Sequence, residues 1–520
     1  MVNSHNNIKG IYQKGRIHTL QIKHLTLHHR KDLRCLIRDL SFTLREHDRA
    51  AIIGEEGNGK STLLRLIADA SLIENYCDYS GEIIRPGNIG YLEQELPQEK
   101  ADMTVYEFFC SSPRFFDCTP GELNRAAHRL GFTAEMYYSE QTLGTLSGGE
   151  KVKLQLLSLT LQRPDLLLLD EPSNDLDIPT LEWLELFIKE SEVPVLYISH
   201  DEMLLENTAN VIIHLEQVRR KTIPVCNVTR CGYREYVERR EASRAHQTQM
   251  ARKEQSEYEK QQQKFRQIQS RVEHEQNAIS RQDPHGGRLL KKKMAAVKSM
   301  ERRFEREHSE MTQLPETEDE IFVRFSPEIT SSRGKTILDL HLDTLANEGG
   351  ILQEKIDLHV CGGEKVCIVG RNGAGKTTLL RLIAKNLLLW TDIKAAYMPQ
   401  DYTERMDMTL TPVEFLSRTG DRDELTAIRT YLGSMRYTAA ETEHAISALS
   451  GGQKAKLYFI AMNLNRCDVL LLDEPTRNFS PLSGPVIRKA LKEYGGTIIS
   501  VSHDRKFIAE VCDRVYQLGK

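Results

Sequence analysis

The sequence predicts an α/β protein: two copies of one domain, each a mixed sheet flanked by helices, joined by a long α-helical hairpin. Three observations carry this. Apolar runs lead through glycine-rich loops into helical periodicity, at residues 50–67 and again from residue 366. Matching residues recur at one spacing: Ser147 and Ser450, Asp170 and Asp473, and His200 and His503 are each 303 residues apart, which internal duplication explains. Between the copies, residues 233–311 are polar and helical in pattern.

The chain has 520 residues, enough for about three domain-sized units. A hydrophobic content of 40% supports sizeable cores. No run of 18 apolar residues occurs, so no membrane-spanning helix is expected. Residues 1–16 lack the apolar centre of a signal peptide. The ten cysteines are scattered, and the nearest pair, Cys226 and Cys231, lacks metal-site spacing. Free thiols in a cytosolic protein account for them. The expected division is an N-terminal leader at 1–17, a first domain at 18–230, a basic helical linker at 231–316 and a second domain at 317–520.

In the first copy, residues 20–27 alternate weakly and read as a strand. Residues 50–53 are a buried strand that runs into Gly54, Glu55, Glu56, Gly57, Asn58, Gly59, Lys60 and Ser61. Thr62 and the apolar positions Leu63, Leu64, Leu66 and Ile67 then open a helix. Strand, glycine-rich loop and helix form the context of a phosphate loop. Its N–H groups would cradle phosphate oxygens, helped by the helix N-terminus. Lys60 would reach the terminal phosphates and the Ser61 hydroxyl would ligate Mg²⁺. Glu55 and Glu56 are unusual neighbours for phosphate.

Residues 89–92 read as a strand ending before Gln94. Ser147, Gly148, Gly149 and Glu150 open a helix over 151–161. The apolar run 166–169 delivers Asp170 and Glu171 at the C-terminal end of a strand, where ligands of parallel sheets bind. Asp170 would hold Mg²⁺ and Glu171 would polarise an attacking water. Residues 195–199 form another buried strand, followed by His200.

The second copy repeats this. Residues 366–369 feed Gly370, Arg371, Asn372, Gly373, Ala374, Gly375, Lys376, Thr377 and Thr378. Gln400 follows a short strand. Ser450, Gly451, Gly452 and Gln453 open a helix, and Asp473 and Glu474 end an apolar strand ahead of His503.

In the linker, Tyr258, Phe265, Ile268, Val272 and Ile279 make a heptad-like stripe. A break at 282–287 contains Pro284, Gly286 and Gly287. A second stripe follows at Leu290, Met294, Val297, Met300 and Phe304. Facing stripes across a short break read as an antiparallel hairpin. Residues 238–308 hold 18 Lys/Arg against 11 Asp/Glu, while the whole chain is −4. Arg281, Arg288, Lys291, Lys292, Lys293 and Lys298 crowd the tip, which points to a phosphate-backbone partner.

The motifs, in this order, resemble the ATP-binding cassette family. They match its Walker A loop, Q-loop (Gln94, Gln400), signature (147–150, 450–453), Walker B with its Glu, D-loop (173–177) and switch histidine (His200, His503). The resemblance implies two P-loop ATP-binding cassette domains that bind ATP with Mg²⁺ and hydrolyse it. The ATP residues would be Gly54, Gly57, Asn58, Gly59, Lys60, Ser61, Thr62, Gln94, Ser147, Gly148 and Gly149. Their counterparts would be Gly370, Asn372, Gly373, Gly375, Lys376, Thr377, Thr378, Gln400, Ser450, Gly451 and Gly452. Ser61, Asp170, Gln94, Thr377, Asp473 and Gln400 would hold the metal. Glu171, Glu474, His200 and His503 would be catalytic. It further implies a monomer with an internal head-to-tail pseudodimer, each nucleotide lying between one copy's Walker A and the other's signature.

The second D-loop departs from the family's pattern: 476–481 read Thr-Arg-Asn-Phe-Ser-Pro, without its acid. Unequal hydrolysis at the two sites is expected. For the nucleobase, His28 or His29 is a candidate in the first copy, and nothing obvious serves near Leu345.

Two cassettes fused through a long basic hairpin resemble the ABC-F class of cytosolic, ribosome-binding ATPases, over residues 18–520. That resemblance implies a cytoplasmic protein whose ATP-closed form binds the ribosomal exit site. The hairpin would approach the peptidyl-transferase centre, touching rRNA and P-site tRNA, with no membrane or DNA partner. The stretch 477–483 looks like that of the bacterial antibiotic-resistance group. So does the near-equal spacing from Gln94 to Ser147 (53 residues) and from Gln400 to Ser450 (50), which leaves no room for an arm insertion. The chain stops shortly after Leu518, so no C-terminal extension is expected. A housekeeping translation factor of the same class and an ATPase subunit of a drug efflux transporter are the competing readings.

Overall fold

The computed structural model describes residues 19–94, 96–218, 222–278, 292, 294–304, 306, 325, 334–347, 350–390, 392–435 and 437–519. The chain divides into two compact units, residues 1–233 with 318–520, and residues 234–317. The leader, Ile279 of the first stripe, the linker tip at 282–290 with Arg288, and Arg281, Lys291 and Lys293 lie outside the described residues.

The larger unit is α/β and holds both copies. In the first, the strands are β1 (Gln21–His29), β2 (Cys35–Thr43), β3 (Arg49–Ile53), β4 (Cys77–Ile84), β5 (Ile89–Leu92), β6 (Leu166–Asp170), β7 (Val195–Ile198), β8 (Val211–Val218) and β9 (Ile223–Thr229). The central sheet runs β5-β6-β7-β3-β8-β9. It is parallel apart from the β8–β9 pair. An antiparallel sheet, β2-β1-β4, stands beside it. The second copy has β10 (Thr336–Asn347), β11 (Gly350–Cys361), β12 (Lys365–Val369), β13 (Ala395–Met398), β14 (Val469–Asp473), β15 (Thr497–Val501) and β16 (Arg514–Gln517). Its central sheet is β13-β14-β15-β12-β16, with β10 and β11 paired separately.

Every residue of β6 and of β14 is buried. That is why both read as apolar runs up to the closing aspartate: strands covered on both faces favour apolar side chains. The duplication reaches the backbone. Glu171 and Glu474 both have φ 50, and Arg163 and Arg466 both have φ 49. A left-handed non-glycine residue costs on the order of 1–3 kcal/mol. Both copies accept this directly after the strand that carries the acids.

The copies meet through charge as well as packing. Arg488, 3% exposed, donates to Glu202 of the first copy. Lys506 Nζ joins Glu202 at 3.0 Å and Glu206 at 2.7 Å. Arg505 pairs with Glu185. Removing one partner from such a buried set is far more harmful than its net strength suggests, because the other charge stays desolvated.

The smaller unit contains most of the 46-residue helix Tyr233–Ala278, and residues 294–304 are helical. Phe265, Val272 and Val297 are buried together, with Met294 and Phe304 packed on them. Tyr258 and Phe265 meet Phe304 edge-on at 6.4 and 5.4 Å. Part of each stripe therefore forms the seam. Ile268 and Met300 do not: they are 43% and 40% exposed. Ile268 has seam spacing, three after Phe265 and four before Val272, yet its side chain faces outward. Lys292 and Lys298 are exposed.

Candidate active site

The first P-loop links β3 to the helix Lys60–Ala68. Gly54 has φ 146, and a Cβ there would stand 2.2 Å from the Leu215 carbonyl oxygen. Gly59, at φ 87, caps the helix in the left-handed region, which glycine adopts without strain. The Lys60 ammonium lies within the loop's curve, donating to the carbonyls of Gly54 at 2.8 Å and Glu55 at 2.9 Å. Asn58 ties the loop to β8 through the Leu215 carbonyl at 2.9 Å. Thr62 follows in the helix. The second P-loop repeats the design. A Cβ on Gly370 would meet the Leu518 oxygen at 2.3 Å, and Lys376 donates to Gly370 at 3.0 Å and Arg371 at 2.9 Å. Gly373 and Gly375 have φ 79 and 93.

The hydroxyl and carboxylate expected at a metal converge in both copies. Ser61 Oγ donates to Asp170 at 3.0 Å, and Thr377 Oγ1 to Asp473 at 3.4 Å. Burial pushes both aspartates up to about 6. Asp473 Oδ2 is buried without a hydrogen-bond partner. Oxygen donors short of positive charge suit Mg²⁺, so the residues fit that ion.

The two glutamates differ. Glu171 accepts from Asn174 Nδ2 at 2.5 Å and Gln94 Nε2 at 3.1 Å, and lies 3.3 Å from His200 Nε2. Burial would raise its pKa, but the bond and charge of His200 with those of Lys60 and Asn174 prevail, holding it down to about 2. Glu474 takes only weak donors, Ser502 Oγ and the His503 N–H, both at 3.3 Å. Its Oε1 is buried without a hydrogen-bond partner, and His503 Nε2 is 4.0 Å away. Burial and then Asp473 push it up to about 8. Burial and then Lys376 push His503 down to about 4.

His200, nearer to Glu171 than His503 is to Glu474, is the largest influence lowering Glu171, and one substitution between the copies adds to it. Asn174, three residues after Glu171, supports it. Arg477, three residues after Glu474, turns away and pairs with Asp175 of the first D-loop at 2.8 Å. His200 is also better held, its Nδ1 bonded to the Phe479 carbonyl across the interface at 2.8 Å.

Both signatures are helix starts. Ser147 and Glu150 form a capping box, as do Ser450 and Gln453. The D-loops leave no room for a side chain on Gly452, where a Cβ would stand 2.6 Å from the Asn478 oxygen, and little on Gly148, where it would stand 3.1 Å from that of Asp175. A Cβ on Gly149 would crowd Thr180 at 3.0 Å. A cavity of about 650 Å³ is lined by Ser147 and Gly148 of the first copy and by Asn372, Lys376, Thr378 and Glu474 of the second. One copy's P-loop thus shares a cavity with the other's signature, at a volume within the ~300–1,000 Å³ of ligand sites. Asp175 knits this interface: its carbonyl accepts from Asn372 Nδ2 at 2.5 Å and its carboxylate from Gln400 Nε2 at 3.1 Å.

Several neighbours were not foreseen. Leu36 packs on Gly59, and Leu345 with Leu352 on Gly375. His29 is bonded instead to Asp32 at 2.8 Å, and His28 is exposed. No apolar-residue count could have singled out those leucines. Their approach to the loops depends on strand pairing.

The sequence profile of the ABC transporter family matches residues 37–174 and 353–477, together just over half of the chain. ABC transporter F family member 2 of Arabidopsis thaliana is 27% identical, over 93% of this chain and 74% of its own. The ribosome protection protein VmlR of Bacillus subtilis is 29% identical, over 91% and 82%. Among solved structures, an archaeal ribosome recycling factor, aABCE1, in complex with the ribosomal stalk protein aP1, superposes with a TM-score of 0.56 at 18% identity, covering 95% of this chain and 87% of that one. The RNase-L inhibitor superposes with a TM-score of 0.55 at 18% identity, covering 95% and 87%. Among the described residues no helix is long and apolar enough to cross a membrane. With two P-loops, two signatures and two acid-bearing strands in one polypeptide, the chain belongs to the ABC transporter family.

Proposed function

We propose that the protein is a cytoplasmic ATP hydrolase of the ABC-F class that binds the ribosomal exit site when ATP closes its two cassettes, and that it protects the ribosome from antibiotics. The observation that carries this is the cavity shared by the second P-loop and the first signature. It supports nucleotide as the joint between cassettes at 18–230 and 317–520. The basic linker at 231–316, and relatives that include a ribosome protection protein, favour RNA as the partner.

In this reading loop N–H groups and Lys60 or Lys376 hold the terminal phosphates. The opposite signature helix offers its N-terminal N–H groups to the γ-phosphate. Glu171 or Glu474 accepts a proton from the attacking water as its oxygen bonds to the γ-phosphorus. The bond from that phosphorus to the bridging oxygen breaks, giving ADP and phosphate. His200 and His503 position those glutamates. A Mg²⁺ ion held by Ser61 and Asp170, or by Thr377 and Asp473, near Gln94 or Gln400, supplies neutralising charge to the phosphate oxygens when bound. Loss of the bridging phosphate lets the cassettes part.

Expression in a drug-sensitive bacterial host is expected to raise inhibitory concentrations several-fold for at least one of the lincosamides, pleuromutilins, streptogramins or phenicols. A panel with and without residues 282–290 checks it. No rise with any class would favour a housekeeping translation factor instead.

A further inference from the structure

The two P-loops differ beside the place where a γ-phosphate would lie. After Gly370 come Arg371 and Asn372; after Gly54 come Glu55 and Glu56. Asn372 reaches the opposite D-loop, donating to Asp175. Glu56 reaches the opposite signature instead. Its Oε2 accepts the Gly452 N–H at 3.0 Å, in the first turn of the helix Gly451–Leu464. Glu55 backs this contact. Its Oε1 lies 3.5 Å from Nζ of Lys456, a turn further along the same helix and 7% exposed. Gly451 leaves the room, since a Cβ there would stand 3.2 Å from Glu56 Oε2.

The first N–H groups of a helix have no partner within it and carry the positive end of its dipole, so they attract an anion. The capping box supplies Ser450 Oγ to the Gln453 N–H. The Gly452 N–H goes to Glu56. A γ-phosphate over Lys60 would need that same donor, and like charge would push it and Glu56 apart.

We propose that Glu56 is a built-in anion standing in for the γ-phosphate, which latches the Lys60 interface when no triphosphate is there. A triphosphate must displace the carboxylate, whereas a diphosphate leaves it in place. The Lys60 site therefore discriminates less between di- and triphosphate than the Lys376 site. It also keeps one interface shut while the other opens. This rests on the reading of the P-loops as nucleotide sites.

The test uses the full chain with Glu56→Gln and Glu56→Asn, the second restoring the residue type found at Asn372. The first arm needs no nucleotide: amide hydrogen exchange of residues 450–456. The latch predicts exchange faster by about tenfold in both variants, the usual weight of a hydrogen bond to a charged group. Equal exchange in wild type and variants overturns it. Exchange of the buried strand Leu166–Asp170 in the same samples reports whether the fold is intact. The second arm, in a Lys376→Ala background, measures Kd for ADP and for the non-hydrolysable analogue AMPPNP. The ratio of ADP to AMPPNP Kd should rise by about tenfold on removing the Glu56 charge. An unchanged ratio overturns the stand-in. If neither nucleotide binds while the variants still lose protection at 450–456, the latch holds and the nucleotide reading fails.

Discussion

Glu171→Gln is expected to slow hydrolysis at the Lys60 site by about 10²–10⁴-fold, and Glu474→Gln to do the same at the Lys376 site. The surviving activities should differ in pH profile. In the Glu171→Gln protein, hydrolysis depends on Glu474, held up to about 8 by burial and Asp473. Its rate should climb as pH rises from 6 and level off above 8, with pH 7 giving about a tenth of the plateau. In the Glu474→Gln protein it depends on Glu171, held down to about 2 beside His200 and Lys60. That rate should be flat from pH 6 to 9. Steady-state phosphate release across this range checks both, and two superimposable profiles would contradict the asymmetry. The stability signs also differ. Glu474 is raised above its ordinary 4.5, so its contribution is full below 4.5 and is lost as pH rises through about 8. Glu171 is depressed, so its contribution is full above 4.5 and is lost as pH falls through about 2.

Replacing Lys291, Lys292 and Lys293 together with alanine should weaken ribosome binding on the order of 10²-fold at moderate salt. It should also lower the slope of log affinity against log salt by about 2–3. The reason is counterion release: each lysine on a phosphate frees close to one condensed cation. Filter binding or co-sedimentation at several salt concentrations measures it. An unchanged slope would mean these lysines touch no phosphate.

Much of the central sheets could be read in the sequence, because β3, β6, β7, β12, β14 and β15 are short apolar runs bounded by turn or charged residues. The convergence of Lys60, Ser61, Asp170, Gln94 and Glu171 was what the motifs' resemblance to the ATP-binding cassette family implied. Of the antiparallel sheet β2-β1-β4, the weak alternation at 20–27 marked β1, but β2 and β4 were not legible, since these half-exposed strands alternate irregularly around bulges. The differences between the copies were only partly visible. Arg477 in place of Asn174's counterpart marks the second D-loop as different. Where the arginine goes is set by Asp175, 302 residues earlier. Glu55 and Glu56 looked misplaced in a phosphate loop until Gly452 and Lys456 appeared opposite them. Contacts across a pseudodimer are long-range pairings, and local periodicity carries no record of them. The linker shows the reverse case. Its stripes predicted a seam, and Phe265, Val272, Val297 and Phe304 form it, yet Ile268 and Met300 face solvent.

The central claim, that nucleotide closes the cassettes and so presents the linker to ribosomal RNA, is tested most directly by co-sedimentation of the Glu171→Gln, Glu474→Gln double variant with 70S ribosomes. With ATP, which this variant binds without turning over, most of the protein should pellet with ribosomes. With ADP, most should stay in the supernatant. Equal pelleting with either nucleotide, or none with ATP, would contradict the account.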